Sequence, residues 1–213
     1  MLGKQKVLIV GAFPKTKSNI IGGFLTVCNA LRFSSFAEKF ELLLIDTTQK
    51  SNPAPNLLIR GIFSGKRVIE FLFKVLLYRS RVAIIFCSSG LSLLEKGLMG
   101  RFTGICGIPT ILVPSGGQLL KDFHQSFALQ LFAKIAFKKT DKILCQGKEW
   151  QEFLSSNFKR NIDDLPIVGN WTATGKLLDV GKSRAYRKKV GKLDPLFVGW
   201  LVHPKGFIGS TTS

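Results

Sequence analysis

Five short apolar runs, separated by longer stretches of helical period, are the feature that most limits what this chain can fold into. Lys6-Val7-Leu8-Ile9-Val10 ends at Gly11, and Leu42-Leu43-Leu44-Ile45 ends at Asp46. Val82-Ala83-Ile84-Ile85-Phe86, Thr110-Ile111-Leu112-Val113 and Lys142-Ile143-Leu144-Cys145 complete the set. The apolar residues run on continuously instead of alternating with polar ones. Strands of that kind are buried on both faces, as in a parallel sheet covered on each side. Strand-to-strand spacing with room for a helix each time implies βαβ units. The expected fold class is therefore α/β: a Rossmann-like parallel sheet with helices on both faces.

The connecting segments carry their own signals. Gly22-Gly23 opens a helical stretch that reaches about Phe33. Residues 47–64 read as polar and contain Pro53, Pro55 and Gly61, the signals of a loop. From Gly65 to Arg81, Lys66, Glu70, Lys74 and Tyr78 form a narrow polar stripe on an otherwise apolar helix. Such a helix is buried or lies on a membrane, and burial is the expectation in a domain of this size. Helices are also expected over Leu91–Thr103, Ser126–Lys139 and Lys148–Ser156. The pattern changes after Asn157. Residues 171–194 are basic and polar, and Leu196-Phe197-Val198-Gly199 begins a new strand. The expected organisation is one α/β domain over residues 1–165, a basic interdomain linker over 166–194, and the first strand of a truncated second domain over 195–213.

Charge and cysteines bound the class. Thirty-one Lys and Arg against 13 Asp and Glu give a formal charge of +18. A surface this basic attracts polyanions: nucleic acid, nucleotide phosphates or an anionic leaflet. With 46% apolar residues the chain is too hydrophobic to be disordered. The longest uncharged stretch, Phe102–Leu120, is broken by Gly104, Gly107, Pro109, Pro114, Gly116 and Gly117, so it is not a membrane span. The first ten residues hold only a four-residue apolar run, too short for the core of a signal peptide, and the expected location is cytoplasmic. Cys28, Cys87, Cys106 and Cys145 form no C-x-x-C pair and read as reduced thiols.

Few residues carry chemistry. A strand running into a loop, followed by a glycine pair at a helix start, suits an anion: Gly11, then Gly22 and Gly23, with Lys15 and Lys17 between them. The same glycines also suit a plain βα turn. No G-x-G-x-x-G follows the first strand, which speaks against nicotinamide and flavin enzymes and against a nucleotide-sugar epimerase. Gly181-Lys182-Ser183 has no glycine at the P-loop spacing upstream and no strand before it. Ser115-Gly116-Gly117 closes the fourth strand and His124 follows. Ligands in open α/β sheets gather at such carboxyl ends, although His124 also suits a surface helix start. No Ser/His/Asp order, H-x-x-x-H metal pair or paired acidic residues stand out, so hydrolase and metalloenzyme readings have nothing to rest on.

The C-terminal Phe197-Val198-Gly199-Trp200-Leu201-Val202-His203-Pro204-Lys205-Gly206 resembles the F-x-G-R-L-x-x-x-K-G opening of the donor domain in family 4 retaining glycosyltransferases of GT-B architecture. The N-terminal V-L-I-V-G strand, Gly22-Gly23, the Ser115-Gly116-Gly117 turn and the Asp141–Leu144 strand with Trp150 beyond it are similar to the same family. The resemblance implies transfer of a sugar from a nucleotide sugar to a glycan or lipid-linked acceptor, in the synthesis of cell-surface polysaccharide or glycolipid. Gly22, Gly23 and Lys205 would hold the donor diphosphate, and Ser115, Gly116, Gly117 and His124 would lie on the acceptor side. The resemblance implies no metal and no cofactor, the nucleotide sugar being a substrate. Trp200 stands where the family commonly has Arg, and Ser115 where it often has His. The family's sugar-contacting glutamate pair has no counterpart here, so the 213-residue chain alone is expected to be inactive. No catalytic residue can be named. The acceptor chemistry and the charge together place the protein on the inner face of a membrane, against anionic lipid. The alternative is a non-catalytic basic α/β domain that binds nucleic acid or anionic membrane. It lacks an RNA-binding signature, and no specific nucleic acid is expected.

Overall fold

The computed structural model describes residues 4–14, 23–48, 56–169 and 175–183. Strands β1 (Lys6–Gly11), β2 (Glu41–Asp46), β3 (Val82–Cys87), β4 (Thr110–Pro114) and β5 (Lys142–Ile143) form one sheet in the order β2-β1-β3-β4-β5. Every pairing is parallel. Lys6–Gly11 lies against Glu41–Asp46 on one side, and Val7–Val10 against Val82–Ile85 on the other. The expected α/β class with a Rossmann-like parallel sheet is what the chain adopts.

The side chains of the strands alternate between two cores. Leu8, Val10, Ala83, Ile85 and Leu112 face one layer of helices: α3 (Leu57–Tyr78), α4 (Leu91–Ile105), α5 (Gln118–Asp122), α6 (Phe127–Phe137) and α7 (Lys148–Phe158). Val7, Ile9, Phe86 and Val113 face the other side, where α1 (Gly23–Arg32) and α2 (Ser35–Lys39) pack through Phe24, Cys28, Leu31, Phe36 and Phe40. Strand residues 7–10 are at most 1% exposed, which is the burial that a continuous apolar run requires.

Four local expectations need correction. Residues 57–64 are the first turns of α3, not loop: the Asn56 side chain accepts the Ile59 N–H at 3.0 Å and caps a helix that runs to Tyr78. The cap outweighs Gly61, whose cost inside a helix is only about 1 kcal/mol. The helix is also far less buried than expected. Phe71 and Val75 face the sheet, but Ile62, Ile69, Phe73, Leu76 and Leu77 are each 60–67% exposed. The last strand is only two residues long; Cys145 instead makes an isolated parallel bridge to Ile167. Finally, α2 and α5 were not anticipated. Ser34 starts α2 by accepting the Phe36 N–H, a short cap with little periodicity to announce it.

The chain divides into two compact units, Met1–Ala173 and Thr174–Ser213. Pro166 and Val168 join the first unit through backbone bonds to Cys145. Within the second, α8 (Gly175–Ser183) is a helix with Leu178 and Val180 exposed. Gly22, Lys15, Lys17, Lys205 and the strand expected at 196–199 lie outside the described residues. No helix among the described residues is long and apolar enough to cross a membrane.

The contact between α4 and α6 is close enough to test. A Cβ at Gly97 would come within 2.8 Å of the Ala136 Cα and 3.0 Å of its backbone nitrogen. Gly97→Ala must therefore push two helix backbones apart, and about 1–3 kcal/mol of destabilisation is expected in urea unfolding. Gly104→Ala, on the same helix with nothing within 4 Å of the new carbon, should be neutral or slightly stabilising.

Candidate functional site at the carboxyl edge of the sheet

The strand order places a topological switch between β1 and β3. The chain leaves β1 for β2 on one side, then crosses back over β1 to reach β3 and continues outward. Crevices at such points, beyond the carboxyl ends of the strands, are where open α/β sheets take ligands. The edge of this crevice is formed by Gly11–Phe13 after β1, Cys87–Gly90 after β3 and Ser115–Gly117 after β4.

The β1 end is tightly built. A Cβ at Gly11 would sit 2.9 Å from the Cys28 sulfur and 3.0 Å from the Phe13 ring, so glycine is required for α1 to lie this close to the strand. The Ala12 N–H donates to Cys28 Sγ at 3.3 Å, and the Phe13 N–H donates to Asp46 Oδ1 at 3.0 Å. The same carboxylate oxygen accepts the Thr48 N–H at 2.8 Å and the Thr48 hydroxyl. The first two backbone donors after β1 are thus engaged inside the protein. The anion-binding capacity expected of the Gly11 loop narrows to the start of α1. There, a Cβ at Gly23 would meet nothing within 4 Å, so packing among the described residues does not demand glycine.

The expected acceptor-side residues separate into two places. Ser115 ties β4 to β3: its N–H and its hydroxyl both donate to the Cys87 carbonyl, at 2.9 and 3.1 Å. Its hydroxyl is committed to the fold. Gly116 has φ +84°, which only glycine adopts without strain, and leads through Gly117 into α5. His124 is exposed on the 3-10 turn Phe123–Gln125, with its ring edge-on to Phe123 at 5.1 Å. Phe123 in turn packs on Phe153 and Phe158, so the aromatic cluster fixes the turn that carries the histidine. Because all strands are parallel, the ends of β1 and β4 lie at the same edge, with β3 between them and a lateral separation of about 10 Å from two strand spacings.

Buried titratable groups sit just behind this edge, and sequence pattern did not single them out. Arg67 of α3 grips Glu95 of α4 with two bonds, at 3.1 and 3.0 Å. Lys96, only 3% exposed, lies 3.1 Å from the same carboxylate. Burial alone would raise Glu95, but the Arg67 hydrogen bond and the charges of Lys96 and Arg67 together hold its carboxyl below the ordinary 4.5. Burial pushes the Lys96 ammonium below its ordinary 10.5, against the pull of Glu95. The available signal was Glu95-Lys96 inside an apolar helix, which alone does not tell an exposed pair from a buried one. Asp46 was likewise seen only as a strand terminator, not as the anchor of two loops.

The cysteines are free, and Cys28, Cys87 and Cys145 are buried, whereas Cys106 is exposed. Burial raises the three buried thiols to about 11, about 12 and about 11 respectively, so all three stay protonated and unreactive at neutral pH. No group of three or more His, Cys, Asp or Glu able to hold a metal ion occurs among the described residues. No protein-family model, curated protein or solved structure matches the chain.

The Arg67–Glu95–Lys96 cluster gives a direct test of the electrostatics behind the edge. Glu95→Ala leaves Lys96 buried without its anion and should cost about 3–5 kcal/mol, whereas Lys96→Met leaves Glu95 still gripped by Arg67 and should stay within about 1 kcal/mol of the parent. Glu95 is depressed in the folded state, so its stabilisation is present above its ordinary 4.5 and is lost as the pH falls through the folded value. Urea unfolding as a function of pH should accordingly show an acid limb that Glu95→Gln makes shallower.

Proposed function

We propose that this protein is a retaining glycosyltransferase, or the acceptor-side half of one, working on a nucleotide-sugar donor and a glycan or lipid-linked acceptor. The observation that carries the reading is a glycine at the start of α1, the first helix after β1, together with a glycine turn at Ser115–Gly117 after β4, β1 and β4 bracketing the β1/β3 switch point. The resemblance of Phe197–Gly206 to a donor-domain opening points in the same direction.

In this reading the donor diphosphate lies before α1. Backbone N–H groups of the first turn and the helix dipole stabilise its charge there, without a proton being moved. Gly22 and Gly23 let the phosphate oxygens approach the backbone closely. The family resemblance, not the fold, gives Lys205 a part in neutralising the departing nucleoside diphosphate. The net charge of +18 lowers the cost of holding such a dianion and speeds its capture. The Ser115–Gly117 turn and the His124 turn border the acceptor. Ser115 holds that border in place through Cys87, since both its donors bond the β3 carbonyl.

The test is titration of the 213-residue chain with uridine and guanosine diphosphates, followed by amide NMR. Shifts at Gly23 to Leu25 with weak, salt-sensitive binding are expected. Lys205→Ala should weaken binding by the worth of one charge-assisted contact, about 1.5–3 kcal/mol. Unmoved amides at Gly23–Leu25, or a single-stranded oligonucleotide binding more tightly than any nucleotide diphosphate, would overturn the reading in favour of a nucleic-acid-binding domain.

A further inference from the structure

The outer surface of the helical layer has a composition that burial in a water-soluble domain does not explain. On α4, Leu91, Leu98 and Ile105 are 52%, 53% and 82% exposed. They repeat every seven residues, opposite the buried Lys96, Gly100 and Thr103, and so point away from the sheet. On α3, Ile62, Ile69 and Phe73 stand opposite the buried Phe71 and Val75. On α6, Phe127 is 82% and Leu131 46% exposed, opposite the buried Ala136. The three helices pack on the same face of the sheet, α4 against both α3 and α6. Their outward residues therefore make one apolar surface, about 20 Å across three helices and about 33 Å along α3.

Charge decides what covers it. Lys66, Arg101, Lys134 and Lys138 are exposed on this layer. The acidic residues of the three helices are Glu70 and Glu95, and each is ion-paired to a cation of its own layer. A second copy would bring the same unopposed cations face to face, in molecules that each carry +18. An anionic lipid leaflet complements both features: acyl chains accept the apolar residues, and phosphates accept the ammonium and guanidinium heads. Lys and Arg suit that boundary, because their stems lie along apolar surface while their heads stay at phosphate level. A shallow groove of about 350 Å³ runs along α3 between Lys66, Ile69, Glu70, Phe73, Lys74 and Tyr78, combining apolar walls with cationic rims.

We infer that the outer face of α3, α4 and α6 docks flat on an anionic membrane surface, with Ile69, Phe73, Leu98 and Phe127 inserted to the acyl boundary and Lys66, Arg101, Lys134 and Lys138 on the lipid phosphates. Docking involves no step of sugar transfer, so this inference and the glycosyltransferase reading fail separately.

The experiment is flotation of the full chain with two kinds of vesicle, phosphatidylcholine alone and phosphatidylcholine with about 30% phosphatidylglycerol, at about 0.05 M and 0.5 M salt. Binding to the anionic vesicles at low salt, weakened by salt, is expected. The exposed-site variant Ile69→Ser/Phe73→Ser/Leu98→Ser should reduce the partition by about tenfold or more. Lys66→Glu/Lys134→Glu should abolish the preference for anionic lipid. Both variants should keep the parent's circular dichroism and unfolding midpoint, since none of these side chains is buried. Charge-reversed control positions on the opposite side of the sheet, Lys39→Glu with Arg32→Glu, should bind as the parent does. Equal partition onto neutral and anionic vesicles would overturn the inference, as would a partition unchanged by the serine variant. A dimer in sedimentation velocity that the serine variant dissolves would also overturn it, and would assign the face to a second copy.

Discussion

Burying both faces of β1 and β3 at once is the constraint on which the rest of the molecule depends. Leu8 and Val10 point into one core while Val7 and Ile9 point into the other, and none of the four is more than 1% exposed. A strand that is apolar on both faces has no solvated side, so helices must cover it from both directions, and only βαβ crossovers deliver them while keeping neighbours parallel. Gly11 shows how tight the result is. The close seat of Cys28 against the strand end leaves no room for a Cβ, and the thiol it buries takes the Ala12 N–H.

Two surfaces follow from that arrangement, and they do different things. The carboxyl edge gathers the loops after β1, β3 and β4, because parallel strands all end there. Asp46 and Ser115 use their hydrogen bonds to hold two of those loops in place. The outer helical face is the opposite case. The sheet needs only one side of α3, α4 and α6, so the apolar residues on their far sides are not required by the core. Large exposed apolar surface is a cost in water and usually marks a place of contact.

Much of this was legible in the chain. Continuous apolar runs located all five strands to within two residues, because a doubly buried strand admits little else. The segments Leu91–Thr103 and Ser126–Lys139 likewise read as helices, and the structure adds that the Ser126 hydroxyl caps α6 by accepting the Leu129 N–H. The misreadings have physical causes. Pro53, Pro55 and Gly61 resembled one continuous loop, but the Asn56 cap starts α3 between the prolines and the glycine. Its exposed apolar stripe was read as buried, since an apolar residue in a helix carries no mark of whether a partner lies above it. The Ser115 hydroxyl, expected at an acceptor, bonds a carbonyl 28 residues away, and Lys96 pairs within a cluster that includes Arg67 from another helix. Contacts of that range depend on topology, which local pattern does not encode.

Native-state hydrogen exchange tests the central claim most directly. If two-sided burial of β1 and β3 holds the fold together, amides of Leu8–Val10 and Ala83–Ile85 should exchange only through global unfolding, with denaturant dependence equal to that of the whole domain. The first turns of α3, exposed at Leu58 and Ile62, should open at a much lower free energy. Strand amides that exchange as readily as those of residues 58–62 would contradict the account, because the sheet would then not be the element on which the helices depend.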